Sequence, residues 1–111
     1  AHLGGFQMWD EAEASLIGRP LYLDLSHTLF WMPEAQLVRM VRRHGASRIL
    51  FGSDAPWQSP DAVLRAFLAL PFTARQQRQI LWDNAAGLLG LTDPVRARSD
   101  APATLQPRAS A

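Results

Sequence analysis

Two places in this sequence put a residue capable of acid–base or metal chemistry where an apolar run stops, and His2 would end a strand implied before it. In "RILFGSDAPW", residues 48 to 57, Ile49, Leu50 and Phe51 give way to Gly52, Ser53 and Asp54. A carboxylate at the mouth of a buried strand is costly unless something compensates its charge. Ser26-His27 closes a second apolar run, and His2 stands ahead of Gly4-Gly5. Histidine and aspartate are both common metal ligands, and a bound cation would answer the charge on Asp54. Each residue also has a plainer reading. Asp54 could be a turn former or a cap, although Ser59 is the better cap for the helix that follows. His2, taken alone, has the pattern of a surface residue, and His27 that of a loop residue with at most a weak substrate contact. His44, in a last helical turn, is expected to be solvated or to complement the helix dipole. Asp24 falls mid-strand and, if buried, needs a structural hydrogen bond. Trp9, Trp31 and Trp57 follow these three positions and suit either pocket walls or core, with Trp9 and Trp57 the ones expected to make weak substrate contacts.

The elements that must carry these residues can be read from periodicity. "FQMWDEAEASLI", residues 6 to 17, has early acids and a following Gly18, which predicts a helix. "LYLDLS", residues 21 to 26, is nearly continuous in apolar residues and predicts a strand buried on both faces. Residues 33 to 44 place Leu37, Val38, Met40 and Val41 on one stripe, with Pro33 as a first helical residue and Gly45 as the stop. Residues 48 to 52 form the next strand. Ser59-Pro60-Asp61 opens a helix running to about Leu70, with Val63, Leu64, Phe67 and Leu68 inward. Thr73-x-x-Gln76 is a capping-box pattern that opens a last helix, to about Leu89, closed by Gly90.

Strands alternating with helices imply right-handed βαβ units and a parallel sheet. Two complete strands would leave one sheet face and both edges uncovered, so further strands are expected upstream. The chain opens on Ala1-His2 without a methionine and reads as one that begins in the middle of something. A whole (β/α)8 barrel takes about 250 residues, and this chain has the size and element order of the last third of one. Residues 92 to 111 hold three prolines and one leucine, and are expected to be a disordered tail after a folded unit over residues 1 to 91.

Composition narrows the partners. The chain has 111 residues, 48% of them hydrophobic, and 11 basic residues balance 10 acidic ones. That balance gives no case for nucleic acid or a membrane surface. No apolar run approaches a membrane span, and the absence of cysteine removes disulfides and thiolate metal sites. A small-molecule substrate and a cytoplasmic location are expected, and a homo-oligomer is compatible.

"AHLGGFQMWDEAE", "LYLDLS", "RILFGSDAPW" and "ILWDNAAGLLGL" together resemble the C-terminal part of the amidohydrolase-related family of metal-dependent hydrolases. That family includes TIM-barrel hydrolases and the aminocarboxymuconate semialdehyde decarboxylase group. The resemblance covers roughly residues 1 to 91 and implies about strands 6 to 8 of the barrel, with their helices. It implies that Asp54 ends the eighth strand as a metal ligand that also takes a proton from water. It implies that His2 ends the sixth strand as a second ligand or a polarising base. His27 matches no invariant position of the family. The family's H-x-H and fifth-strand histidine would lie upstream, so the site needs those strands for completion. The implied cofactor is a divalent metal, with zinc expected. The implied reaction is hydrolysis of an amide, ester or lactone-type bond. Non-oxidative decarboxylation within the same superfamily is the alternative, and a non-catalytic truncated remnant is another.

Overall fold

The computed structural model describes residues 1 to 92, so the expectation of a disordered tail lies outside the described residues but for Thr92. The chain opens on a 3-10 turn, His2–Gly4, followed by helix α1, Trp9–Ser15. Strand β1, Leu23–Asp24, leads through helix α2, Glu34–His44, and a 3-10 turn, Ala46–Arg48, to strand β2, Ile49–Leu50. Helix α3, Pro60–Leu68, follows. The last helical stretch is made of α4, Ala74–Arg78, a π-helical turn, Gln79–Asp83, and α5, Asn84–Leu89.

β1 and β2 pair in parallel, with Leu23 opposite Ile49 and Asp24 opposite Leu50. This is the βαβ unit expected from the alternation of elements, but the strands are shorter than the apolar runs. The ladder continues by one bond, Leu25 N donating to Leu50 O at 3.0 Å. Beyond it, Phe51 N turns to the last helix and donates to Ile80 O at 3.0 Å. The expectation of strands buried on both faces is corrected. Leu23, Leu25 and Ile49 are buried, whereas Tyr22 is 45% exposed and Asp24 and Leu50 are only partly covered. Among the described residues the sheet has no third strand.

The core lies between the sheet and its helices. Leu37, Val38, Met40 and Val41 of α2 are all buried, as their spacing predicts, and meet Leu3, Leu25, Ile49, Phe67 and Ile80. In α3 only Val63 and Phe67 are buried. Leu68 faces out, because the helix buries one narrow stripe. The first helix begins at Trp9 rather than residue 6, since Gln7 adopts φ 58° and breaks the helical path. Pro33 sits one residue before α2, as its cap, with ψ 133°. Ser59 caps α3 by accepting from Ala62 N, and Thr73 and Gln76 form the expected capping box.

His44 overturns its sequence reading. It is buried, Gly18 N donates to its Nδ1 at 3.1 Å, and its Nε2 lies 2.7 Å from Leu21 O. Nδ1 must therefore carry a lone pair and Nε2 the proton, so the ring is neutral and ties α2 to the segment entering β1.

Candidate active site

The His2–Gly4 turn, the end of β1 and the loop after β2 converge at one end of the sheet. There His2, Phe6, His27, Trp31, Asp54 and Trp57 line an open cleft of about 450 Å³. All three polar residues that the sequence placed at strand ends, His2, His27 and Asp54, are in it. His27 Nδ1 lies 3.2 Å from Asp54 Oδ2, within ion-pair reach but without the alignment of a hydrogen bond. The rings of His2 and His27 are 5.7 Å apart.

The backbone at all three is unusual. His2, His27 and Asp54 have φ of 56°, 57° and 62°, in the left-handed region that disfavours residues with a Cβ. Histidine and aspartate tolerate it better than most, yet each such residue costs about 1 to 3 kcal/mol. Asp54 opens a tight turn, with Ala55–Pro56 in cis, closed by Trp57 N donating to Asp54 O at 3.0 Å.

His2 is held from several sides. Its backbone N donates to Asp24 Oδ1 at 3.1 Å, and its carbonyl accepts from Trp9 Nε1 at 2.9 Å. Its ring Nδ1 lies 2.9 Å from the Ser26 carbonyl oxygen. A carbonyl can only accept, and the Ser26 hydroxyl beside it donates to Asp24, so Nδ1 carries the proton and Nε2 is the lone-pair nitrogen of the neutral ring. Histidines that bind metals commonly donate their other ring N–H to a carbonyl in this way.

Asp24 supplies the hydrogen bonding that its mid-strand position requires. Burial opposes its ionisation, but the hydroxyl and amide of Ser26 and the amide of His2 outweigh it. They hold the carboxyl below the ordinary carboxylate range.

The cleft walls are aromatic. Trp31 stacks on His27, with rings 5.4 Å apart and 12° between planes, and Phe6 stands edge-on to both at 5.1 and 5.5 Å. Trp57 is 78% exposed at the mouth. Trp9, expected to touch substrate, lies outside the lining. It is 8% exposed, packs edge-on behind Phe6 and braces the His2 carbonyl. Sequence reasoning did not single out Phe6 or Ser26. Phe6 falls in the helix predicted over residues 6 to 17, and Ser26 enters only as the neighbour of His27. Among the described residues no group of three His, Asp or Glu side chains is placed to hold a metal ion. No described helix is long and apolar enough to cross a membrane.

A sequence model of the Amidohydrolase family matches residues 1–91. No curated protein matches the chain. Among solved structures it is similar to a dihydroxybenzoic acid decarboxylase from Polaromonas sp. JS666, determined with bound manganese and the inhibitor 2-nitroresorcinol. The identity is 28% and the TM-score 0.55, over 62% of this chain and 20% of that one. A 2,6-dihydroxybenzoate decarboxylase from Rhizobium shares the fold at 22% identity and TM-score 0.57, over 75% of this chain and 23% of that one. A 2,6-dihydroxybenzoate decarboxylase complexed with 2,6-dihydroxybenzoate does so at 23% identity and TM-score 0.58, over 76% and 24%. The chain therefore spans between a fifth and a quarter of the length of these enzymes.

Proposed function

The chain belongs to the amidohydrolase family, and from that membership we propose that its cleft is part of the reaction site of a metal-dependent, non-oxidative decarboxylase of hydroxylated aromatic acids. The observation that carries this reading is the cleft itself. It sets an aspartate and two histidines, all with left-handed backbones, inside walls made by Phe6, Trp31 and Trp57. Flat aromatic faces suit a flat ring, and the polar residues stand at one side of it. The 28% identical relative is a decarboxylase with bound manganese, which favours decarboxylation over hydrolysis and leaves zinc and manganese as the two metals to test.

The residues fit part of a metal site. Asp54 offers a carboxylate at the rim, and His2 offers Nε2 because its Nδ1 is committed to Ser26. A catalytic site takes three protein ligands, so the remainder would come from residues outside this chain. When bound, the cation would supply a Lewis acid for the carboxylate and hydroxyl oxygens of the substrate. The chain's own residues supply the rest. Phe6, Trp31 and Trp57 bind the ring and exclude water from its faces. Asp54, with His27 Nδ1 at 3.2 Å, holds the proton that the ring carbon takes. As that C–H bond forms, the C–C bond to the carboxylate breaks. Its electron pair returns to the ring, and CO2 leaves. One carboxylate and one proton give one arene and one CO2, with no oxidant needed.

Hydrolysis of an amide, ester or lactone-type bond is the second reading, favoured by the family match. There Asp54 would take a proton from water and return it to the leaving group.

The test uses the full-length gene product loaded with manganese or zinc, with CO2 release from 2,6-dihydroxybenzoate as the readout. Asp54→Asn should retain part of the metal and lose kcat by a factor on the order of 10² to 10⁴, the usual worth of a positioned acid–base group. Asp54→Ala should lose metal as well. Near-parental kcat in both variants would sink the reading of the site. Ester or lactone hydrolysis without CO2 release would select the second reaction.

A further inference from the structure

Asp24 is absent from the cleft lining, yet one of its oxygens gathers three donors from the residues that hold His2. Oδ1 accepts from His2 N at 3.1 Å, from Ser26 N at 3.0 Å and from the Ser26 hydroxyl. Ser26 in turn meets the His2 ring twice. Nδ1 lies 2.9 Å from the Ser26 carbonyl oxygen and 3.0 Å from Oγ.

We propose that Asp24 is a positioning residue: by accepting the hydrogen bond of the Ser26 hydroxyl it leaves Ser26 with only acceptors toward His2, which keeps a proton on Nδ1 and so makes Nε2 the lone-pair nitrogen of the neutral ring.

The argument is a count of protons. A serine hydroxyl has one proton to give. Once that proton points at Asp24, Oγ can only accept from Nδ1, as the carbonyl beside it does. The Nδ1–H is then shared between two acceptors. The other tautomer would set a bare Nδ1 against two lone-pair oxygens at hydrogen-bond distance. It becomes tolerable only if the hydroxyl turns away from Asp24 and donates to Nδ1, and Asp24 removes that option. The carboxylate is suited to the task because it accepts only, and its Oδ1 already gathers both amides beside that hydroxyl. The same oxygen ties the backbone of His2 to that of Ser26, so the two ends of the contact are fixed together. The use of the Nε2 lone pair as ligand or base rests on the cleft being the reaction site; the tautomer itself does not.

The test reads the tautomer directly, in metal-free, substrate-free full-length protein with nitrogen-15 labelled histidine. Ring nitrogens are followed by long-range proton–nitrogen correlation, and His2 is assigned from the signals missing in His2→Gln. The parent protein should show a protonated Nδ1 and a bare Nε2. In Asp24→Ala the hydroxyl is freed to turn toward Nδ1, and the Nε2–H form should rise from trace to a comparable population. In Asp24→Ala combined with Ser26→Ala no hydroxyl remains, only the carbonyl, and the parental tautomer should return. An Asp24 that served the backbone alone would give the same loss in both variants. Nε2–H in the parent, no change in Asp24→Ala, or no return in the double variant would each overturn the proposal. If Asp24→Ala does not fold, Asp24→Asn decides: its amide oxygen can accept the same three donors, so Nδ1–H should persist, and Nε2–H there would overturn the idea. An absence of decarboxylation would leave this result standing, and a failed tautomer result would leave the reaction standing.

Discussion

The cleft depends on how closely single residues allow the backbone to approach. Gly4 lies in the turn that carries His2, at φ 102°, and a Cβ there would come within 2.9 Å of Ala12 Cβ and Leu16 Cδ1. Only glycine meets both demands without a shift. Gly52 plays a similar part behind Ser26, where an added Cβ would lie 3.2 Å from Ser26 Cβ. Gly4→Ala should therefore destabilise the protein by about 1 to 3 kcal/mol, from the backbone strain alone. It should also lower kcat, by displacing the turn that presents His2. Thermal melting and turnover of the variant check both, and an unchanged melting temperature would show that the turn yields freely. Asp54 differs in kind. Its half-exposed side chain contributes little packing, so its replacement should reach activity before stability.

Helices lock the strand ends from outside the cleft. Asn84, in the first turn of α5, donates from Nδ2 to Ala46 O at 2.6 Å and to Ile49 O at 2.8 Å. One amide thus fixes the entry to β2, while Ile80 O, in the π-helical turn, fixes its exit at Phe51. Asn84→Ala should cost about 1 to 3 kcal/mol, because it removes the side-chain donor from two carbonyls, of which Ala46 O keeps the Ile49 amide. Asn84→Asp should cost more, because its oxygens would face both carbonyls. Denaturant midpoints of the two variants test the order, and equal values would show that water replaces the amide. A second tie joins α1 to α2. Arg39 makes a paired contact with Glu13 at 2.9 and 3.0 Å, and Arg43 adds a contact at 3.6 Å. The Arg39 hydrogen bond, acting against burial, holds the Glu13 carboxyl below its ordinary range. A carboxyl with a lowered folded pKa contributes stability above its unfolded pKa of about 4.3 and loses it as pH falls through the folded value. The gap in melting temperature between the parent and Glu13→Gln should thus be present at neutral pH and close on acidification below pH 4. A gap that stays constant to low pH would show that the ion pair contributes nothing.

At the scale of the whole molecule, the described residues form a sheet of two short strands whose second face is only partly covered. Large apolar side chains also stand exposed, among them Tyr22, Phe30, Trp31, Trp57 and Leu89. Parallel sheets are normally buried on both faces, and open edges invite association. The chain also spans under a quarter of its structural relatives. Expressed alone, the 111 residues should associate or pack loosely, and should not retain stoichiometric manganese or zinc through dialysis. Light scattering coupled to gel filtration, with elemental analysis, is the check. A monomer with a sharp cooperative melt and one bound metal would contradict this expectation.

What the sequence determined by itself follows from local rules. Helix stripes, caps and stops depend on a few neighbouring residues, so α2, the Ser59 cap and the Thr73–Gln76 capping box could be read directly. So could the parallel pairing, since a helix between two apolar runs leaves few other connections. The motifs also carried the family, because "HLGG", "FGSDAPW" and "DNAAGLL" keep their order and spacing along the chain. What only the tertiary structure decided depends on contacts between residues far apart in sequence. His44 looked like a surface residue until Gly18 and Leu21 were found on its two nitrogens, 26 and 23 positions away. The sequence favours Trp9 over Trp31 for substrate contact, but the turn at Gln7 puts Phe6 in front of Trp9, and it is Trp31 that stacks on His27 in the cleft. Asp24 was a mid-strand acid in need of partners. That its partners are the residues fixing His2 follows from a fold that brings residue 2 beside residue 26, and no spacing along the chain encodes that distance.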